Sequence, residues 1–161
     1  MRYRKCKGRA KPAGWLTCFV KLGTGKMEGA YMANIPIGTK GESQTEVTGD
    51  NATTFLDMED ARVLSTPRMI GLMEKTCRDT VLPLLEKGYD TVGTHVNIAH
   101  LAAAPMGSHV TFRAEVLEVN GRRVEFRVEA STEHEKIGEG THQRTIINVA
   151  KFAAKQAEKK R

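Results

Sequence analysis

No apolar run in this chain approaches the ~18 residues a membrane-spanning helix requires, so no membrane partner is expected. It has no CxxC pair and no internal repeat. Cys6, Cys18 and Cys77 are an odd set without metal-ligand spacing, which argues against a disulfide framework or a zinc site. Thiols that stay reduced suit the cytoplasm. The five histidines also lack ligand spacing, so neither a metal nor a separate cofactor is expected. GTGK at 23–26 lacks the spacing of a phosphate-binding loop. AGWLTCFV at 13–20 mimics a short signal core, but no small-residue cleavage site follows, and export is not expected.

What is present describes an ordinary globular protein. The 161 residues are 40% apolar and 27% charged, which suits one domain with a real core. The net charge of +6 is not spread over the chain. Residues 1–31 hold eight basic groups against the single acid Glu28, which leaves −1 for the rest. A basic arm can bind nucleic acid, but no RNA-binding signature surrounds Trp15 and Phe19, and a solvated, disordered extension is the expectation. Met27 and Met32 would serve as later start points. The expected organisation is a basic extension over 1–31, a folded domain over 32–152 and a charged tail over 153–161.

The folded part reads as a strand, a long helix, then four strands. The first strand is expected near Ser43–Val47. The helix is expected over 67–86, with the Thr66 hydroxyl as N-cap before Pro67 and Lys87-Gly88 as the stop. Ile70, Met73, Cys77, Val81 and Leu84 form its apolar stripe, and Pro83 disturbs its end. In 92–100, Val92, Val96 and Ile98 fall on one face, and Gly93, His95 and Asn97 on the other. Val110 to Val116 and Val124 to Ala130 alternate likewise around an Asn120-Gly121 hairpin turn. The last strand runs from Ile137 to Val149, with Gly138 and Gly140 permitting a bulge. One helix cannot cover both faces of such a sheet. The expected fold is α+β, a hotdog fold, with an antiparallel sheet wrapped around one long central helix and dimerisation covering the rest.

Three residues carry candidate chemistry. Glu74 lies within the apolar stripe, where an unpaired carboxylate is costly and is therefore paired, neutralised or functional. The ordinary alternative is a stripe-edge carboxylate reaching solvent, Arg68 or Lys75. Thr66 is explained by capping, yet it projects from the same side of the helix as Glu74, beside the positive helix end. His100 ends the apolar face of its strand. Alone it reads as a satisfied core histidine; with a carboxylate and a hydroxyl it makes an acid–base and positioning set. His95 and His100 point to opposite strand faces and do not chelate one metal.

The stretches VLSTPRMIGLMEKTC, GTHVNIAHLAAAPMG, VNGRRVEFRVEA and IGEGTHQR resemble the fluoroacetyl-CoA thioesterase-like branch of hotdog proteins over about residues 35–152. The combination T-P-x-M-x-x-L-M-E with A-H-x-A-A-x-P is what makes the resemblance specific. It implies that Thr66, Glu74 and His100 match the family's catalytic threonine, glutamate and histidine. It also implies that Gly93 lies near the substrate carbonyl and that Arg144 is a substrate-side arginine. The implied activity is hydrolysis of a short-chain acyl-CoA to free acid and CoA by a homodimer or higher homo-oligomer. CoA enters only as part of the substrate. Asp57 and Asp60 fall where the specialised enzyme places two phenylalanines over its acyl pocket, which puts a fluorinated substrate in doubt; Phe55 is a candidate replacement for one. The rival readings are a non-catalytic acyl-thioester-binding hotdog protein and a hotdog hydratase or dehydratase. Nucleic-acid binding through the basic arm is a remote alternative.

Overall fold

The structure is a computed structural model that describes residues 34–55 and 58–160. The basic extension expected over 1–31 and Asp57 lie outside the described residues. Five strands, β1 (Lys40–Glu46), β2 (Tyr89–His100), β3 (His109–Asn120), β4 (Arg123–Ser131) and β5 (Lys136–Asn148), make one sheet. Its order is β1-β3-β4-β5-β2, with every neighbouring pair antiparallel. The helix α1 (Thr66–Val81) packs on the inner face, and α2 (Val149–Glu158) follows β5. Short 3₁₀ turns occupy Glu59–Ala61 and Leu82–Leu84.

The core follows from the alternation. Val110, Phe112, Ala114 and Val116 of β3 and Val124, Phe126, Val128 and Ala130 of β4 are at most 2% exposed. They pack in one cluster with Met69, Met73, Cys77 and Val81 of α1. Fully burying an aliphatic or aromatic side chain of this size contributes about 1.5–3 kcal/mol. Gly121 closes the hairpin at φ 60°, as the Asn120-Gly121 pair predicts.

Several local expectations are corrected. The N-cap is Ser65, and Thr66 is the first helical residue. The α-helix ends at Val81 rather than 86, since Pro83 lacks the N–H to continue it and a 3₁₀ turn follows. Its buried face is Met69, Met73, Thr76, Cys77 and Val81. Ile70 is half-buried and Leu84 is 42% exposed, so the stripe is turned from the one expected. Thr76 tolerates burial because its hydroxyl donates to the Leu72 carbonyl at 2.8 Å and accepts from Ser43 on β1 at 2.6 Å. The residues expected to be a tail after 152 are helical to Glu158, with Asn148 Oδ1 capping α2 through the Lys151 N–H at 3.0 Å.

Two local features shape the inner face where β2 runs beside β5. The β2–β5 register shifts between Gly93 and His95, so Thr94 is bulged out. Cross-strand partners share a face, which puts Thr91 and Gly93 on the α1 side before the bulge and Val96, Ile98 and His100 on it afterwards. Val92 therefore does not share a face with Val96. The irregularity expected in β5 near Gly138 and Gly140 appears opposite β4, where Gly138 pairs with Ala130 and Lys136 with Ser131, while the register opposite β2 runs evenly; both glycines also serve close approach. A Cβ on Gly138 would lie 2.8 Å from the Met69 sulfur. One on Gly140 would run into the Asn97 carbonyl oxygen and lie 2.8 Å from Ile98 Cα. Because that obstacle is backbone, Gly140→Ala is expected to cost about 1–3 kcal/mol. Thermal melting checks this, and an unchanged Tm would contradict the close approach.

Candidate active site

β5 carries an unusual inner face. Gly138, Gly140, His142, Arg144 and Ile146 alternate toward α1, and His142 and Arg144 are 1% and 2% exposed. A buried guanidinium must have its N–H groups satisfied. Arg144 Nε donates to Thr91 Oγ1 at 2.8 Å, and Nη2 to the Thr91 carbonyl at 2.8 Å. Nη1 donates to Glu74 Oε1 at 2.9 Å and approaches the Glu74 carbonyl at 3.4 Å.

Glu74 lies on α1 with its side chain 42% exposed, against 3% for Arg144. The arginine is thus sealed in, while the carboxylate keeps an open side. Its partner is Arg144, not the Arg68 or Lys75 that a stripe-edge carboxylate is expected to reach; Lys75 pairs with Asp79. Gly93, opposite Arg144 in the ladder, presents bare backbone to this carboxylate. A Cβ there would lie 2.6 Å from Glu74 Oε1, so any larger residue would push the carboxylate from this position.

Thr66 and His100 form a second group. The Thr66 hydroxyl lies 2.8 Å from His100 Nδ1, so it is engaged across to β2 rather than in capping the helix. His100 Nε2 is shielded from solvent and has no hydrogen-bond partner among the described residues. No hydrogen bond among the described residues joins this pair to Glu74. Eight residues of α1 separate Thr66 from Glu74, about 12 Å along the axis. One chain therefore brings together Glu74, Gly93 and Arg144, and separately Thr66 and His100.

Sequence reasoning missed Thr91 and His142. Ile146 sets the parity of β5, and that parity puts Arg144 and His142 on the core face; this was the available signal. His142 Nδ1 lies 2.8 Å from the His95 carbonyl and its Nε2 3.3 Å from Arg144 Nη1. Burial, then the Arg144 charge, pushes its pKa below the usual value. Cys77, one turn after Glu74, is pushed up to about 12 by burial, which makes it a core thiol rather than a nucleophile. Arg78 and Asp90, paired at 2.6 Å, tie the end of α1 to β2. The Arg78 guanidinium holds the Asp90 carboxyl below its ordinary range. Among the described residues no three His, Cys, Asp or Glu side chains converge as a metal site. A cleft of about 560 Å³ lies on another part of the sheet, and the Glu42–Arg113 and Glu115–Arg127 pairs within it mark a solvated charge ladder.

Residues 47–150 match the family described as fluoroacetyl-CoA-specific thioesterase. Over 101 residues the chain is 43% identical to the fluoroacetyl-CoA thioesterase of Streptantibioticus cattleyicolor, covering 63% of this chain and 73% of that protein. The solved structure of the fluoroacetyl-CoA thioesterase FlK matches at 35% identity and TM-score 0.71, over 78% of this chain and 97% of that one. A thioesterase superfamily member from Thermus thermophilus matches at 33% identity and TM-score 0.73, over 80% and 96%. At 23% identity and TM-score 0.72, a hot-dog-like protein from Thermanaerovibrio acidaminovorans shares the fold over 78% of this chain and 93% of its own. The sheet wrapped around α1 is thus the expected hotdog fold, and the chain belongs to the fluoroacetyl-CoA-specific thioesterase family.

Proposed function

We propose that this protein hydrolyses the thioester of a short-chain acyl-CoA in the cytoplasm, with Glu74 as the reacting carboxylate and no cofactor beyond the CoA of the substrate. The observation that carries the reading is the Glu74–Arg144–Gly93 arrangement. One carboxylate oxygen is anchored at 2.9 Å by a buried guanidinium. The side chain remains partly open to solvent, beside the bare backbone of Gly93, where a Cβ would lie 2.6 Å from Oε1. That suits a base or nucleophile held in one orientation.

In the hydrolytic step the water oxygen bonds to the acyl carbon and its proton passes to Glu74. The C–S bond then breaks, and CoA leaves as a thiolate that takes up a proton. Direct attack by Glu74 would instead form an acyl anhydride that water opens; the geometry accommodates both. Thr66 is the group proposed to position the substrate carbonyl. His100, bonded to Thr66 through Nδ1, supplies or stabilises charge as the thiolate departs. Arg144 has its donors engaged within the chain, so its proposed role shifts from holding substrate to anchoring Glu74.

The acyl group is proposed to be short and not necessarily fluorinated. Asp60 stands exposed in the 3₁₀ turn, and Phe55 is 79% exposed rather than folded over an acyl pocket. Product analysis on a panel of saturated and 2-enoyl-CoA substrates tests the function. Free thiol with the matching acid supports hydrolysis. Hydration of the double bond without thiol would support a hydratase, and binding without any product a carrier.

A homodimer completes the proposal. Among the described residues β2, 12 residues long, is an edge strand of the sheet, and Val96 is 44% exposed although it faces the α1 side. Leu101, just past its end, is 53% exposed. Long open edges are normally paired or covered, and two-fold closure is the commonest solution. Pairing along β2 sets the interface beside Gly93 and His100, hence beside the acyl site. Light scattering is expected to give about twice the chain mass of 17.8 kDa. A fully active monomer would overturn this.

A further inference from the structure

Glu74, Gly93, Arg144 and His142 meet where β5 runs beside β2, and His142 has no part in the reaction above. Its hydrogen bonds define its state. The His95 carbonyl only accepts, so Nδ1, 2.8 Å away, carries the hydrogen. Arg144 Nη1 only donates, so Nε2, 3.3 Å away, carries the lone pair. Both contacts select the same neutral tautomer. The same Nη1 donates to Glu74 Oε1 at 2.9 Å, so its two hydrogens are shared among the carboxylate, the imidazole and, at 3.4 Å, the Glu74 carbonyl. His95 directly follows the bulged Thr94, and His142 Cε1 lies 3.1 Å from where a Cβ on Gly93 would stand.

We infer that His142 is a positioning residue: as a neutral imidazole it ties Arg144, and through it Glu74, to the bulged backbone of β2. The inference rests on the reading of Glu74 as the reacting carboxylate. It goes further in naming what sets that carboxylate's orientation against Gly93. Glu74 from α1, Arg144 from β5 and His95 from β2 are the titratable or charged groups acting on it. Protonation would bring an imidazolium N–H against the guanidinium N–H and release the arginine. Burial and Arg144 lower the folded pKa below the ordinary 6.5, with Glu74 partly opposing. Between the two values the unfolded chain binds more protons. The stability present above pH 6.5 is therefore lost as pH falls through the lower folded value, and the orientation of Glu74 is lost with it.

Imidazole nitrogen NMR on the full chain tests the geometry without reference to activity. The resonances absent from His142→Gln identify the residue. The expected result is a neutral ring protonated at Nδ1 at neutral pH and still neutral just below pH 6.5. A ring protonated at Nε2, or an imidazolium at neutral pH, overturns the inference. Kinetics tests the role. His142→Leu is expected to lower kcat about tenfold or more while KM stays within about threefold, the signature of misplaced chemistry rather than lost binding. His142→Gln keeps one donor and one acceptor and is expected to restore most of kcat and to lose the acid fall that follows imidazole protonation. Wild-type kcat in both folded variants overturns the inference. If the Leu variant does not fold, an unchanged acid fall in the Gln variant overturns it. If the wild type releases no thiol, the thioesterase reading fails, and the NMR result still decides the tautomer and the tie.

Discussion

Glu74→Gln is expected to lower kcat for acyl-CoA hydrolysis by about three orders of magnitude, within the range that positioned acid–base groups contribute, and to leave the fold intact. The amide oxygen can still accept from Arg144 Nη1, where Glu74 Oε1 now does at 2.9 Å, so the anchor is retained. What is lost is the ability to take a proton from water or to form an anhydride. The side chain is 42% exposed, so the substitution leaves no sealed void and Tm should move little. Turnover within about threefold of wild type, on a folded variant, would remove Glu74 from the chemistry.

Arg144→Leu is expected to damage both stability and turnover. The guanidinium is 2% exposed and donates to Thr91 Oγ1, the Thr91 carbonyl and Glu74 Oε1. Removing it leaves the Thr91 acceptors unpaired in the core, a cost of about 1–3 kcal/mol for each buried group, while the half-exposed Glu74 loses its counter-charge but keeps solvent on its open side. Turnover of the remaining folded protein should fall by about tenfold or more, because the carboxylate loses its fixed oxygen. Arg144→Lys should rescue poorly, since an ammonium is a point charge and cannot reach three directions from one plane. Denaturant melts and kcat on the same preparations check both halves. An unchanged melt would contradict the burial argument, and an unchanged kcat the anchoring role.

The contrast between Arg144 and Glu74 shows what sequence pattern carries and what it does not. The β3–β4 hairpin was legible because alternation over Val110–Val116 and Val124–Ala130 brackets an Asn-Gly turn, and both signals are local. The existence of α1 was legible from its proline start and apolar period. Its rotation was not, because Thr76 is buried by a hydroxyl pair with Ser43 on β1, 33 residues earlier. Pairing Thr66 with His100 follows from a contact over 34 positions that capping logic alone cannot supply. The bulge at Thr94 decides which β2 residues face the helix, and Gly93 beside it reads in the sequence only as one position in an even alternation. Arg144 as the partner of Glu74 is a tertiary fact over 70 positions; only the resemblance drew attention to that arginine, and it suggested substrate rather than Glu74.

The measurement closest to the central claim is continuous detection of free CoA thiol from short saturated acyl-CoAs, with the released acid quantified in parallel. The account predicts one thiol for each acid formed, catalytic turnover by the full-length protein without added metal, and loss of that turnover in Glu74→Gln. Tight acyl-CoA binding with no thiol released across the panel, from a correctly folded dimer, would contradict it.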